Sequence, residues 1–349
     1  MSNKNLLSGR DKELQELAEQ YEAAMAENKP FYQDADELAD LADWYGTKKR
    51  YDKAFEIAEY GLKLHPDSTE LMIEYAYLHL DNGKKAKARE IIENLPDTYS
   101  PEAKVVRAHL LLSEGKLDDA EQLLDTIEDK DDLANVVDVS YMYLDMGYPD
   151  KALAWLDPVK EEYSNEEAYI AVVADCLYGK GMTEEAIPLY NRLIDMNPYS
   201  APYWFGLARC HFEEMNFNQA IDACDYALVS DDEFADAYVM KGHCFYQLGN
   251  EDAALEYYQK AEELHGLAPE FIYTYIGLCK VSKGEWKEGY ENLEKAILEN
   301  ETDEVASPIL PSLYANAGLC LSKMKKKRKA HQYCKKAQKL EPKDPEAYL

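Results

Sequence analysis

The chain has 349 residues and a formal net charge of −30, and a surface this acidic repels nucleic-acid phosphates and anionic lipid headgroups. That charge argues against nucleic-acid binding and favours solubility and basic partners. Sixteen Gly and fourteen Pro are too few for a turn-rich β architecture, and the length exceeds one compact core unless the chain is an array whose units bury their faces on neighbours.

Residues 10–28 come first, with Leu14, Leu17, Ala18, Tyr21, Ala24 and Met25 on one face of an amphipathic helix. Nothing upstream pairs with it, so it is expected to cap the next helices in the chain. The opening residues have no apolar core of a secretory leader, and no run of 18 apolar residues is present to span a membrane. Seven cysteines without a CxxC spacing fit a reducing, cytoplasmic location.

From residue 35 the chain repeats. Units start at 35, 69, 101, 133, 167, 201, 235, 270 and 311. Their eighth position is always small: Ala42, Ala76, Ala108, Ser140, Ala174, Ala208, Gly242, Gly277 and Gly318. Their twentieth is Ala54, Ala88, Ala120, Ala152, Ala186, Ala220, Ala254, Gly289 and Ala330. Small residues at fixed places let two helix axes approach to about 8–10 Å, so each unit reads as a helix pair. Gly83, Gly115, Gly147, Gly181, Gly249 and Gly284 recur at position 15, where a left-handed residue ends the first helix.

The array has irregularities. Units two and three are two residues short, which changes their stacking. Pro158 and Pro188 fall inside second helices and predict bends there. An insertion, 301–310, precedes the last unit, and the tail 343–349 resembles the start of a unit that stops. The chain thus divides into an N-terminal segment, 1–34, a repeat array, 35–342, and the tail. Residues 320–349 carry 10 Lys/Arg against 3 Asp/Glu, a balance of +7. The run Lys323–Lys329 reads first as a solvated turn, with a nuclear address, a nucleic-acid patch or self-association as alternatives.

No phosphate loop, dinucleotide fingerprint, zinc-protease or nucleophile-elbow motif is present. The chain is therefore expected to be no enzyme and to need no cofactor or metal. Cys176, Cys210, Cys244, Cys279 and Cys320 share position 10 and Cys224 and Cys334 share position 24, which makes them packing thiols.

The pattern resembles the tetratricopeptide repeat family, with Trp204, Leu207, Ala208, Ala220 and Ala227 in one unit and Tyr238, Gly242, Ala254, Tyr258 and Ala261 in the next. The resemblance spans residues 35 to about 342. It implies an all-α fold, a right-handed α-solenoid of about nine helix pairs. It also implies a concave groove lined by positions 2, 5, 9 and 12 of the first helices, where a partner protein or peptide binds. The residues this places there include Tyr77, Leu80, His109, Leu112, Tyr141, Leu144, Tyr178, Phe205, Arg209, Phe212, His243 and Tyr246, an aromatic and aliphatic strip with few charges. Chaperone-tail binders of the family clamp a carboxylate with Lys, Asn and Arg at set positions; no three consecutive units here supply them, which argues against that partner. The expected role is a non-catalytic scaffold or adaptor for a peptide or helix, with a self-assembling homo-oligomer and an accessory subunit of an enzyme complex as alternatives.

Overall fold

The computed structural model describes residues 11–27, 29–264, 266–300 and 308–340. Most of the 301–310 insertion and the whole 343–349 tail lie outside the described residues. Among those described, every regular element is a helix, and the architecture is an all-α repeat solenoid. The chain divides into two compact units, Met1–Cys210 and His211–Leu349.

The first unit opens with α1 (Asp11–Ala26). Its Leu14, Ala18 and Tyr21 are buried in one cluster with Leu38 and Leu41 of α2 (Ala35–Thr47) and Ile57 of α3 (Tyr51–Leu64). The Tyr21 hydroxyl donates to Glu56 at 3.2 Å, which satisfies the one polar atom of a fully buried ring. There follow α4 (Thr69–Asp81) with α5 (Lys85–Glu93), and α6 (Pro101–Ser113) with α7 (Leu117–Leu124). Next come α8 (Leu133–Asp145) with α9 (Pro149–Leu156), and α11 (Glu167–Gly179) with α12 (Thr183–Met196). Polar caps start several first helices. Ser68 accepts from Leu71 N–H at 3.1 Å and Ser100 from Ala103 N–H at 3.2 Å, each occupying a donor the helix cannot satisfy itself.

The irregular units behave differently from one another. The two short units also have short second helices, α5 with 9 residues and α7 with 8 against 14 in α3. At Pro158 the second helix breaks: α9 ends at Leu156, a 3-10 turn covers Asp157–Val159, and α10 (Lys160–Tyr163) resumes. At Pro188 it does not break, and α12 runs through the proline.

Helix α13 (Ala201–Glu213) contains the boundary between the units. The second unit continues with α14 (Phe217–Ser230), α15 (Ala235–Gln247), α16 (Glu251–Glu263), α17 (Pro269–Ser282), α18 (Trp286–Asn300), α19 (Leu310–Lys323) and α20 (Lys327–Leu340). Here position 8 is glycine because nothing else fits. A Cβ on Gly242 would come 2.5 Å from the Tyr258 ring, one on Gly277 2.8 Å from Leu293, and one on Gly318 2.9 Å from Cys334 Sγ. In each case the obstructing side chain is position 24 of the same repeat, so the bulk given up by one helix is occupied by the other.

Position 15 is left-handed in all nine repeats, and only six of them are glycine. Lys49, Met215 and Lys325 hold φ of 59°, 59° and 61° at the same place. The hydrogen bonding does not change with the residue. Gly83 N–H donates to Leu80 at 2.9 Å and Lys84 N–H to His79 at 2.8 Å; Met215 N–H donates to Phe212 at 2.9 Å and Asn216 N–H to His211 at 2.8 Å. The turn is set by this paired closure, which outweighs the roughly 1–2 kcal/mol that a side chain costs in the left-handed region.

The cysteines are free thiols, buried except for the half-buried Cys334. Burial pushes the thiols of Cys176, Cys244 and Cys279 up to about 12 and that of Cys320 to about 11, so these four stay protonated and unreactive at neutral pH.

Candidate partner-binding groove

In the first unit, α2, α4, α6 and α8 present one face to a cavity of about 360 Å³. Tyr77, His109 and Tyr141, all at position 9, line it together with Ile73 and Val105 at position 5. Their rings are close, with Tyr77 and His109 centroids 5.7 Å apart. Burial lowers the His109 pKa to about 4, so the imidazole is neutral at physiological pH.

The surface is not the charge-poor strip expected. Nine carboxylates line the cavity: Asp36, Asp40, Asp43, Glu70, Glu74, Asp97, Glu102, Asp138 and Asp145, and none of its lining residues is Lys or Arg. They come mainly from positions 2, 6 and 13, which with position 9 form one stripe at spacings of four, three and four residues. Position 12 lies off that stripe. Leu112 is buried in the core of the first unit, Leu144 packs against the same core, and Leu80 packs against the cluster around Ile91 and Val106. None of the three lines the cavity. Burial, then the neighbouring Asp43 carboxylate, raises Glu74 well above the usual carboxylate range. Enclosure raises Asp145 to about 6.

Three more expected residues, Arg209, Tyr178 and Phe205, meet Tyr141 around Asp175. Arg209 donates to Asp175 Oδ1 at 2.7 Å, and the Tyr190 hydroxyl donates to the same oxygen at 2.6 Å. Tyr141 reaches Asp175 Oδ2 at 3.4 Å. The guanidinium lies 4.4 Å from the Tyr178 ring centroid and 5.5 Å from that of Phe205. This cation is neutralised internally, so it is a structural tie as much as a contact surface.

The second unit has its own aromatic pocket of about 280 Å³, where Phe212, His243 and Tyr246 meet Tyr258, Tyr275 and Leu278. His243 Nδ1 and the Tyr258 hydroxyl share a 2.7 Å hydrogen bond, and Tyr258 stacks on Tyr275 at 5.1 Å and 15°. Burial lowers His243 to about 4. Tyr258 and Tyr275, at positions 24 and 6, were not among the expected groove residues. The acidic residues of the first units, Asp36, Glu70 and Glu102 at position 2 and Asp40, Glu74 and Asp138 at position 6, are visible in the sequence once each column is read down the units.

Tetratricopeptide repeat models match residues 47–100 and 311–344, and a model described as anaphase-promoting complex, cyclosome, subunit 3 matches residues 179–261. The TPR repeat-containing protein YpiA of Bacillus subtilis (strain 168) is 28% identical over 142 residues, 39% of this chain and 33% of that protein. The chain thus matches about a third of the length of this curated relative. Among solved structures, the APC/C hetero-tetramer Cut9–Hcn1 is similar with a TM-score of 0.51 at 19% identity, over 97% of this chain and 75% of that one. Pseudomonas aeruginosa PilF is similar with a TM-score of 0.53 at 13% identity, over 62% of this chain and 95% of that one. At these identities the structures show the fold alone. No helix among the described residues is long and apolar enough to cross a membrane. The fold supports a protein–protein interaction scaffold in general and belongs to a typically non-catalytic class. With one register running through nine helix pairs and matched by repeat models near both ends, the chain is a tetratricopeptide repeat protein.

Proposed function

We propose that this chain is a non-catalytic scaffold that holds a segment of a partner protein against the first-helix faces of its repeats. The observation that carries this reading is the cavity of the first unit, walled by four successive first helices with Tyr77, His109 and Tyr141 along it. Aromatic rings with a polar edge anchor a partner at low entropic cost, and a concave site of several hundred Å³ accepts side chains rather than a flat surface. The aromatic pocket of the second unit offers a second contact of the same kind. A photo-crosslinking amino acid at Tyr141 or Tyr246 should give covalent adducts with a small set of proteins in cells. The same group at the exposed Tyr199 or Val229 should not. Equal adducts from all four positions, or none from Tyr141 and Tyr246, would overturn the groove reading.

A further inference from the structure

We infer that the cavity of the first unit selects a Lys- or Arg-bearing segment of a partner protein, its cationic side chains entering among the carboxylates. This rests on the reading of that face as a partner site and adds the chemistry of the occupant.

The charge is one-sided, with nine lining carboxylates and no lining cation, and so complements a basic segment. A second observation is independent of that count. Glu74 is 5% exposed and His109 8% exposed, both line the cavity, and Glu74 Oε1 and His109 Nδ1 have no hydrogen-bond partner. A buried polar atom left unpaired is destabilising, and an ammonium or guanidinium group entering the cavity brings the donors that Glu74 lacks. Burial and Asp43 already disfavour the charged Glu74; a cation beside it reverses that balance. Tyr77 and Tyr141 supply ring faces for the aliphatic stem and the charged head.

The carboxylates are spread over four helices instead of converging on one point. Among the described residues no group of three His, Cys, Asp or Glu side chains could hold a metal ion. That distribution suits several cationic side chains carried on one extended chain better than a single point charge.

The test uses the full purified chain and fluorescence anisotropy of a short labelled Lys-rich peptide and of its counterpart with Glu at every Lys. The Lys peptide should bind, with affinity falling steeply as salt rises, and the Glu peptide should not. The double variant Glu74→Gln/Asp138→Asn should weaken binding by about tenfold or more. The charge-matched control Asp118→Asn/Asp119→Asn, on the exposed start of α7, should stay within about twofold, as expected of screened surface charges. Equal loss in both double variants would mean that bulk charge alone attracts the peptide, and would overturn the proposal. So would equal binding of the two peptides, spermine or calcium binding in place of the Lys peptide, or self-association of the chain that Glu74→Gln/Asp138→Asn abolishes, which would make a second copy the occupant. Adducts from Tyr141 that survive Glu74→Gln/Asp138→Asn would leave the scaffold reading standing while removing the basic preference.

Discussion

His109 illustrates how one side chain records its surroundings. Its position-9 register turns it into the cavity, and burial there lowers its pKa to about 4, against about 6.5 in an unfolded chain. A depressed folded pKa means that the stability is fully present above about pH 6.5 and is lost as pH falls toward 4, because the unfolded chain takes up the proton first. The full effect is about 3 kcal/mol. Glu74 on the same wall acts in the opposite sense: its raised pKa contributes stability in acid that is lost as pH rises through the folded value. The difference between the parent and His109→Gln isolates the histidine. Between pH 7 and 4 the parent should lose about 3 kcal/mol more than the variant in denaturant titrations; parallel acid limbs would sink this. That His109 faces this cavity agrees with its position 9, which the family resemblance turns toward the concave side. That its Nδ1 stays unpaired was not legible in the sequence, because pairing depends on what the neighbouring helices bring within reach.

At the scale of the helix, two prolines in comparable contexts have different outcomes. Pro158 ends α9 and forces a 3-10 turn before α10, whereas α12 continues through Pro188. A helix-interior proline removes one backbone hydrogen bond and crowds the preceding turn, at about 3 kcal/mol. Tyr190, Leu193 and Ile194, just beyond Pro188, are buried, and packing of that face offsets the loss. Pro188→Ala should therefore stabilise α12 by up to about 3 kcal/mol, read as slower amide exchange in that helix; unchanged exchange would show that the proline is accommodated without strain. Exchange is the suitable measurement because it reads the local opening of that helix. The sequence marks both prolines as disruptive, yet choosing between a break and a tolerated defect requires knowing what each helix packs against.

For the whole chain, the net charge of −30 is a standing self-repulsion that opposes the compact state. Raising ionic strength from about 0.01 to 0.15 M shortens the screening length from about 30 to 8 Å. The melting temperature should rise by a few degrees over that range, and a flat or falling curve would show that the ion pairs, such as Lys151 with Glu121 and Arg209 with Asp175, outweigh the repulsion. The carboxylates of the groove are part of the same excess, held together where they repel one another, which is why removing two of them is expected to affect binding more than two on an outer helix.

The sequence alone determined the helix pairs, their nine-fold register, the packing role of the cysteines and the six glycine turns, because each follows from a local rule: helical period, close axis approach, left-handed backbone. Tertiary structure decided what local rules leave open. It made Lys49, Met215 and Lys325 adopt the glycine conformation, since chain closure in a repeat outweighs a modest backbone cost. It also decided the character of the groove. Positions 2, 6, 9 and 13 share one stripe, so carboxylates from four helices line up beside the aromatic rings, while the leucines at position 12 turn into the packing between helices. Which column of a helix faces a shared space is set by the angle at which that helix meets its neighbours, and that angle is a property of the stack rather than of any one repeat.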